Sequence, residues 1–179
     1  MLEQGRRVDV AARTKSESAP TGATAPMLSP EVQAEVSGPR LFVLATASAE
    51  GVPATTLVSW ICAVGPSHLA IALDRRGLAY KNAVENRAAA LEVTLAGFSA
   101  TLRGTLSLLR RQLVSAPFSC AGFEFEIEEI RDHGASGSLI RPASYEYSPA
   151  KQQHAVREAE IIAELRTLPE RSLAEPRLR

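Results

Sequence analysis

The stretch from Leu41 to Leu95, LFVLATASAEGVPATTLVSWICAVGPSHLAIALDRRGLAYKNAVENRAAALEVTL, decides the fold. Three apolar, strand-like runs come first. A short basic turn, Asp74-Arg75-Arg76-Gly77, then opens a helix-like segment over Leu78 to Glu85, which Asn86 closes. A fourth strand, Ala88 to Ala96, follows. A strand, a basic turn and a helix start together make a seat for a phosphate, because backbone N–H groups at a helix N-terminus point at an anion and arginine side chains neutralise it.

Within this stretch, Leu41 to Ala47 is apolar except for Thr46, as expected of a central strand covered on both faces. Ser48-Ala49-Glu50-Gly51 is a hairpin turn in which Gly51 supplies a positive φ. Pro53 to Val64 reads as one long second strand. Its alternation puts Thr55, Leu57, Ser59 and Ile61 on one face and Thr56, Val58, Trp60 and Cys62 on the other. Gly65-Pro66-Ser67-His68 turns the chain into a short strand, Leu69 to Leu73. In the strand after the helix, Ala89, Leu91, Val93 and Leu95 share a face.

Downstream, Ala100 to Leu108 alternates, with Leu102, Leu106 and Leu108 pointing inward. Residues 110–121 break the pattern and receive no assignment. Phe123, Phe125 and Ile127 alternate with Glu124, Glu126 and Glu128 in a sixth, half-solvated strand, and Asp132 to Ser138 is a loop. Ser148-Pro149 signals a helix start, and the last helix runs to about Leu168. Its apolar stripe is Ala155, Ala159, Ile162 and Ala163, widened by Ile161, Leu165 and Leu168. Upstream, Ser29-Pro30-Glu31 starts a short helix that ends at Ser37-Gly38-Pro39. Three units result: a loosely attached tail over 1–28, a core over 29–168 and a second tail over 169–179. Consecutive strands joined by short turns, with one inserted helix, predict an antiparallel barrel rather than a doubly wound sheet.

The formal net charge is zero, so no global field attracts nucleic acid or an anionic membrane. Cys62 and Cys120 form no CxxC pair and imply neither a disulfide framework nor a zinc site. No apolar run reaches transmembrane length and no secretory h-region is present, so a cytoplasmic protein is expected. His68, His133 and His154 have no metal-ligand spacing. The acidic strand from Glu124 to Glu129 reads as a solvated face, and no general acid or base stands out.

The hairpin LATASAEGVPATTLVSW, the segment ALDRRGLAYKNAVEN and the strands AALEVTL and GTLSLL, taken in order, resemble the FMN-binding split β-barrel proteins. That group holds the pyridoxamine phosphate oxidase-like and flavin-reductase-like proteins, and the likeness covers about residues 29–165. It implies a mainly β, six-stranded antiparallel split barrel with flanking helices, forming a homodimer with two FMN sites at the subunit interface. Carried over residue by residue, it places Thr55, Thr56, Val58 and Ser59 along the flavin ring and ribityl chain. Arg75, Arg76 and Lys81 would hold the phosphate, with Leu78 and Tyr80 near the cofactor or behind it. Read without the family, Lys81 either reaches back or is simply exposed, and Thr55, Thr56 and Ser59 are also polar positions on a half-buried strand. Trp60 reads as core.

Two departures matter. The second strand carries Thr55 or Thr56 where pyridoxamine phosphate oxidases commonly have an arginine, and their Arg- and Trp-rich C-terminus is missing. The expectation is therefore an FMN-dependent oxidoreductase, but not an authentic pyridoxamine phosphate oxidase, in which reduced nicotinamide (NADH or NADPH) reduces a small acceptor. The alternatives are a flavin, deazaflavin or haem carrier without turnover, with His133 the nominal haem ligand, and a ligand-free dimeric interaction module.

Overall fold

The structure, a computed structural model, describes residues 26–134 and 142–172. Residues 1–25 of the expected N-terminal tail over 1–28, most of the loop after Asp132 and the end of the C-terminal tail lie outside these residues. Leu28, assigned to the tail, is buried, and its N–H donates to the Pro66 carbonyl at 2.7 Å.

Among the described residues, three helices and seven strands follow in chain order: α1 (Pro30–Val36), β1 (Phe42–Ala47), β2 (Pro53–Val58), β3 (Ile61–Gly65), β4 (His68–Asp74), α2 (Leu78–Glu85), β5 (Ala88–Leu95), β6 (Phe98–Arg110), β7 (Cys120–Asp132) and α3 (Gln153–Ser172). A 3-10 turn over Pro149–Lys151 precedes α3. The predicted cap holds α1: the Ser29 hydroxyl accepts from the Val32 N–H and Pro30 occupies the first turn. The Ser48–Gly51 hairpin turn also forms, with Gly51 at φ 83°. The bounds of α2 match the sequence reading.

The strands pair in the order β2-β1-β5-β6-β7-β4-β3, all antiparallel. The two end strands, β2 and β3, are joined through only Ser59 and Trp60. A link that short spans about 11 Å at most, so the two ends of the sheet must lie side by side. The sheet curls until β2 touches β4, but no ladder closes the seam. The result is a split barrel, left open between β2 and the β3–β4 pair.

There are thus seven strands rather than six, because the predicted second strand breaks at Ser59-Trp60. There the Ile61 N–H donates to the Ser59 carbonyl at 3.1 Å, and the Ala72 N–H donates to the Trp60 carbonyl at 2.9 Å, which swings β3 onto β4. The kink also reverses the alternation. Val58 and Ile61, three residues apart, both enter the main core, whereas Cys62 joins a second cluster under α3.

The strand covered on both faces is β4 rather than β1. Leu69, Ile71 and Leu73 enter the main core, and Ala70 and Ala72 pack beneath Leu165, Ile161 and Leu168 of α3. In β1 the outward face is left open, and Val43 is 39% exposed. The α3 stripe is Ile161, Leu165 and Leu168 with Ile162 beside it, while Ala155, Ala159 and Ala163 face solvent. Spacings of four and three residues keep the larger side chains over one another. Leu108, expected to point inward, is 37% exposed near the end of β6, where a register shift follows between Leu108 and Arg110. A second shift, at Arg103/Gly104, brings the β7 backbone so close that a Cβ on Gly104 would lie 1.8 Å from the Glu126 carbonyl oxygen. Among the described residues no helix is long and apolar enough to cross a membrane.

Candidate functional site

The open seam of the barrel is a groove of about 430 Å³. One wall is β2 from Ala54 to Val58 with Ser59 and Trp60. The opposite wall is the end of β4 (Ala72, Leu73, Asp74) and the start of α2 (Gly77, Leu78, Ala79). Thr46 of β1 contributes at one place, and Phe118 and Cys120 at another. Because β2 pairs with β1 alone, its second edge keeps unpaired backbone donors and acceptors facing the seam.

The first turn of α2 faces the same groove. Its N-cap is Gly77, which has no side chain to cap the first N–H groups. Those donors and the helix dipole make the end of the groove favourable to an anion.

The charges at this corner differ from a count of arginines. Asp74 takes both arms of Arg76, with Nε donating to Oδ1 at 3.0 Å and Nη2 to Oδ2 at 2.7 Å, and the Arg76 N–H also donates to Oδ1 at 2.9 Å. These bonds hold the Asp74 carboxyl below the usual range. Asp74 lines the groove; Arg76 does not. Its guanidinium lies over the Phe118 ring, 5.6 Å from the centroid. Arg75 has no carboxylate in salt-bridge range among the described residues. It lies 5.9 Å from the Tyr80 ring centroid and reaches the Ser119 hydroxyl at 3.5 Å. Lys81 is exposed, one turn into α2.

Of the residues picked from sequence, the structure therefore gathers Thr55, Thr56, Val58 and Ser59 along one wall. Arg75, Arg76 and Lys81 lie outside the groove lining, at or beyond its basic corner. Leu78 lines the groove, whereas Tyr80 packs edge-on against Phe123 at 5.9 Å and sits behind it. Trp60, read as core, is half-buried against the cluster under α3 and also lines the groove, tilted against Phe118 with 5.4 Å between centroids.

Sequence reasoning missed Phe118 and Thr46. Phe118 sits in the unassigned segment between β6 and β7, which is strapped down from outside the groove. The Glu164 carboxylate of α3 accepts from Arg110 Nη1 (3.1 Å), the Val114 N–H (3.0 Å), the Ser115 N–H (2.9 Å) and the Ser115 hydroxyl. Burial pushes Glu164 upward, but these bonds outweigh it and leave its pKa lowered. Thr46 carried a signal, as the single polar residue in an apolar strand.

No general acid or base of the groove emerges. Asp74 is spent on Arg76, and burial pushes the Cys120 thiol up to about 11, so it is protonated at neutral pH. His133 lies away from the groove, its Nε2 held by Glu92 at 2.9 Å and Thr101 at 3.0 Å. Among the described residues no cluster could hold a metal ion.

No protein-family model matches this sequence, and no curated protein matches it. Solved structures do. A provisionally assigned pyridoxamine 5′-phosphate oxidase of Lactobacillus delbrueckii is 22% identical, with a TM-score of 0.50 over 59% of this chain and 94% of that one. HupZ of Group A Streptococcus is 13% identical, with a TM-score of 0.51 over 67% of this chain and all of that one. HutZ, a haem storage protein of Vibrio cholerae, is 12% identical with a TM-score of 0.47, over 59% of this chain and 95% of that one. The expected split-barrel type is thus found, like that of pyridoxamine 5′-phosphate oxidase-like proteins, but with seven strands in place of the expected six and with the sheet left unclosed.

Proposed function

We propose, from the split-barrel fold shared with pyridoxamine 5′-phosphate oxidase-like proteins, that this chain binds FMN in its open seam and works as a flavin-dependent oxidoreductase. The observation that carries the reading is the pairing of two walls: the unpaired edge of β2 and the uncapped first turn of α2. The donor set fits the cofactor. A flavin ring ends in an edge of alternating donors and acceptors, which an exposed strand edge with short hydroxyls at Thr55, Thr56 and Ser59 can match. A phosphate suits the N–H groups behind Gly77, with Arg75 beside them.

When bound, FMN would supply the redox chemistry, accepting hydride from a reduced nicotinamide and passing electrons to a small acceptor. The chain's residues would bind, orient and exclude water. Trp60, Phe118, Leu57 and Leu78 supply the apolar surface, and the lack of a free acid or base in the lining suits a protein whose cofactor carries the reaction.

A homodimer completes this reading. The groove is open on one side, and beside it Leu57, 67% exposed, pairs across the β1–β2 ladder with Val43, 39% exposed. Exposed apolar side chains beside the groove support reading this face as the dimer surface. Sedimentation velocity should give twice the chain mass.

The test is an absorbance spectrum before and after adding FMN, followed by NADH or NADPH under nitrogen. Bound-flavin bands that bleach with the nicotinamide are expected. Flavin bands that do not bleach would reduce the function to a carrier. A Soret band on adding haem, with no response to FMN, would replace the cofactor, and no response to either would leave a dimeric interaction module.

A further inference from the structure

Thr46 of β1 and Asn82 of α2 are the two buried polar side chains among the described residues, each 4% exposed. Asn82 Nδ2 donates to Thr46 Oγ1 at 3.1 Å. Neither side chain has another hydrogen-bond partner among the described residues. The pair holds three polar hydrogens, two on the amide and one on the hydroxyl, and spends one between its members. Because the Thr46 oxygen accepts from Asn82, its own hydrogen is unspent, and Thr46 is the member that lines the groove. A buried donor without an acceptor is costly, so such a group is kept where something arrives to accept from it.

We propose that the Thr46 hydroxyl, its orientation fixed by Asn82, donates a hydrogen bond to an acceptor oxygen of the ligand that fills the seam. The oxygen is a carbonyl or ribityl oxygen of the flavin, or one of its phosphoryl oxygens. Thr46 is then a binding residue and Asn82 a positioning residue acting through it. The inference rests on the FMN reading and adds a contact to it from the second strand of the sheet. Its neighbour across the β1–β2 ladder is Ala54, a small residue that also lines the groove.

The test uses the full chain and the emission of Trp60, its only tryptophan, as the binding signal. Thr46→Val keeps the shape and removes the donor; its FMN affinity should fall about tenfold, the worth of one well-made hydrogen bond. Thr46→Ser should bind within about twofold of wild type. Thr46→Val also strips Asn82 of its acceptor, so the double variant Thr46→Val/Asn82→Leu separates the two effects. Replacing both partners by apolar groups should restore the melting temperature while the affinity stays low.

A double variant that regains both stability and affinity would mean that the pair only braces α2 against β1, and the proposal would be wrong. So would a Thr46→Val affinity equal to wild type, or a Thr46→Ser loss as large as that of Val. Riboflavin distinguishes the sources: a penalty seen with FMN but not riboflavin assigns the hydroxyl to the phosphoryl group, and an equal penalty assigns it to ring or ribityl oxygens. Absence of FMN binding by the wild type would remove the functional reading itself and this contact with it, whereas failure of the Thr46 series alone leaves that reading standing.

Discussion

Glu164 is the point at which the groove can be perturbed from outside it. Its carboxylate is 12% exposed and accepts four hydrogen bonds from Arg110, Val114 and Ser115. Two come from backbone N–H groups of the 111–119 segment, so the side chain does for that loop what a strand partner would do. In Glu164→Gln the charge is lost, and one of the two oxygens becomes an NH₂ that meets donors instead of accepting from them. Hydrogen bonds to a charged group are each worth about 1.5–3 kcal/mol, and breaking a buried pair costs about 3–5 kcal/mol. Arg110 is 27% exposed and can be rehydrated, which pulls the net cost down to about 2–4 kcal/mol. With a urea slope of about 2 kcal/mol per molar, that moves the midpoint down by about 1–2 M. The loop carries Phe118 onto Trp60, so a second readout is local. Native-state emission of Trp60 should change, and proteases should cut within 111–119 before the barrel unfolds. An unchanged urea midpoint together with unchanged Trp60 emission in Glu164→Gln would refute the idea that this carboxylate holds the groove's aromatic wall in place.

Acid should act as the same substitution does. Glu164 has its folded pKa lowered, so its stabilisation is present above the ordinary carboxylate range and disappears as pH falls through the lowered value. Trp60 emission followed from pH 6 downward should show a step below pH ~4.3 that Glu164→Gln lacks. Gly104→Ala should be among the most damaging single changes, because the new Cβ would lie 1.8 Å from a carbonyl oxygen in the paired strand. Overpacking typically costs about 1–3 kcal/mol, and here the neighbour is backbone, so a melting temperature lowered by about 5–10 °C is expected by calorimetry. Asp74→Asn should tighten FMN binding and steepen its salt dependence, since it removes a carboxylate from the groove lining and releases Arg76. Looser binding in a titration over 50–300 mM salt would contradict that assignment.

Much of the fold was legible because local signals agreed with one another. Ser29-Pro30, Gly51 and the 78–85 helix each carried a turn or cap residue where the chain needed it. The errors share one cause: alternation specifies a face but not a break in phase. Between Val58 and Ile61 the chain turns a corner within two residues, and the run of alternating side chains continues through it without a mark. For β1 and β4, apolarity alone could not tell which strand has a helix on its back. The answer depends on where α3 docks, and α3 is far from both in sequence. Phe118 could not be placed because its segment is held by side-chain bonds from Glu164 rather than by any repeating pattern.

The candidate site was legible along β2 and less so at its charged corner. Asp74-Arg75-Arg76 reads in sequence as one acid and two bases, with both bases available to a phosphate. In space the acid and the second base lock together, since residues two apart across a tight turn put a carboxylate and a guanidinium fork face to face. Among the described residues the corner then offers one unpaired guanidinium, that of Arg75, and the backbone N–H groups behind Gly77. A helix N-terminus attracts an anion at short range through fixed donors, whereas a flexible surface arginine is screened by salt. If the groove takes a phosphate, most of the discrimination must come from the backbone, and Arg76 serves by cancelling Asp74 and covering Phe118. On that account Arg76→Ala harms anion binding by leaving Asp74 uncompensated in the lining, and the double change with Asp74→Asn should recover most of the loss. A basic residue that only touched the phosphate would show no such recovery, which makes the pair of variants a direct measure of how the corner is built.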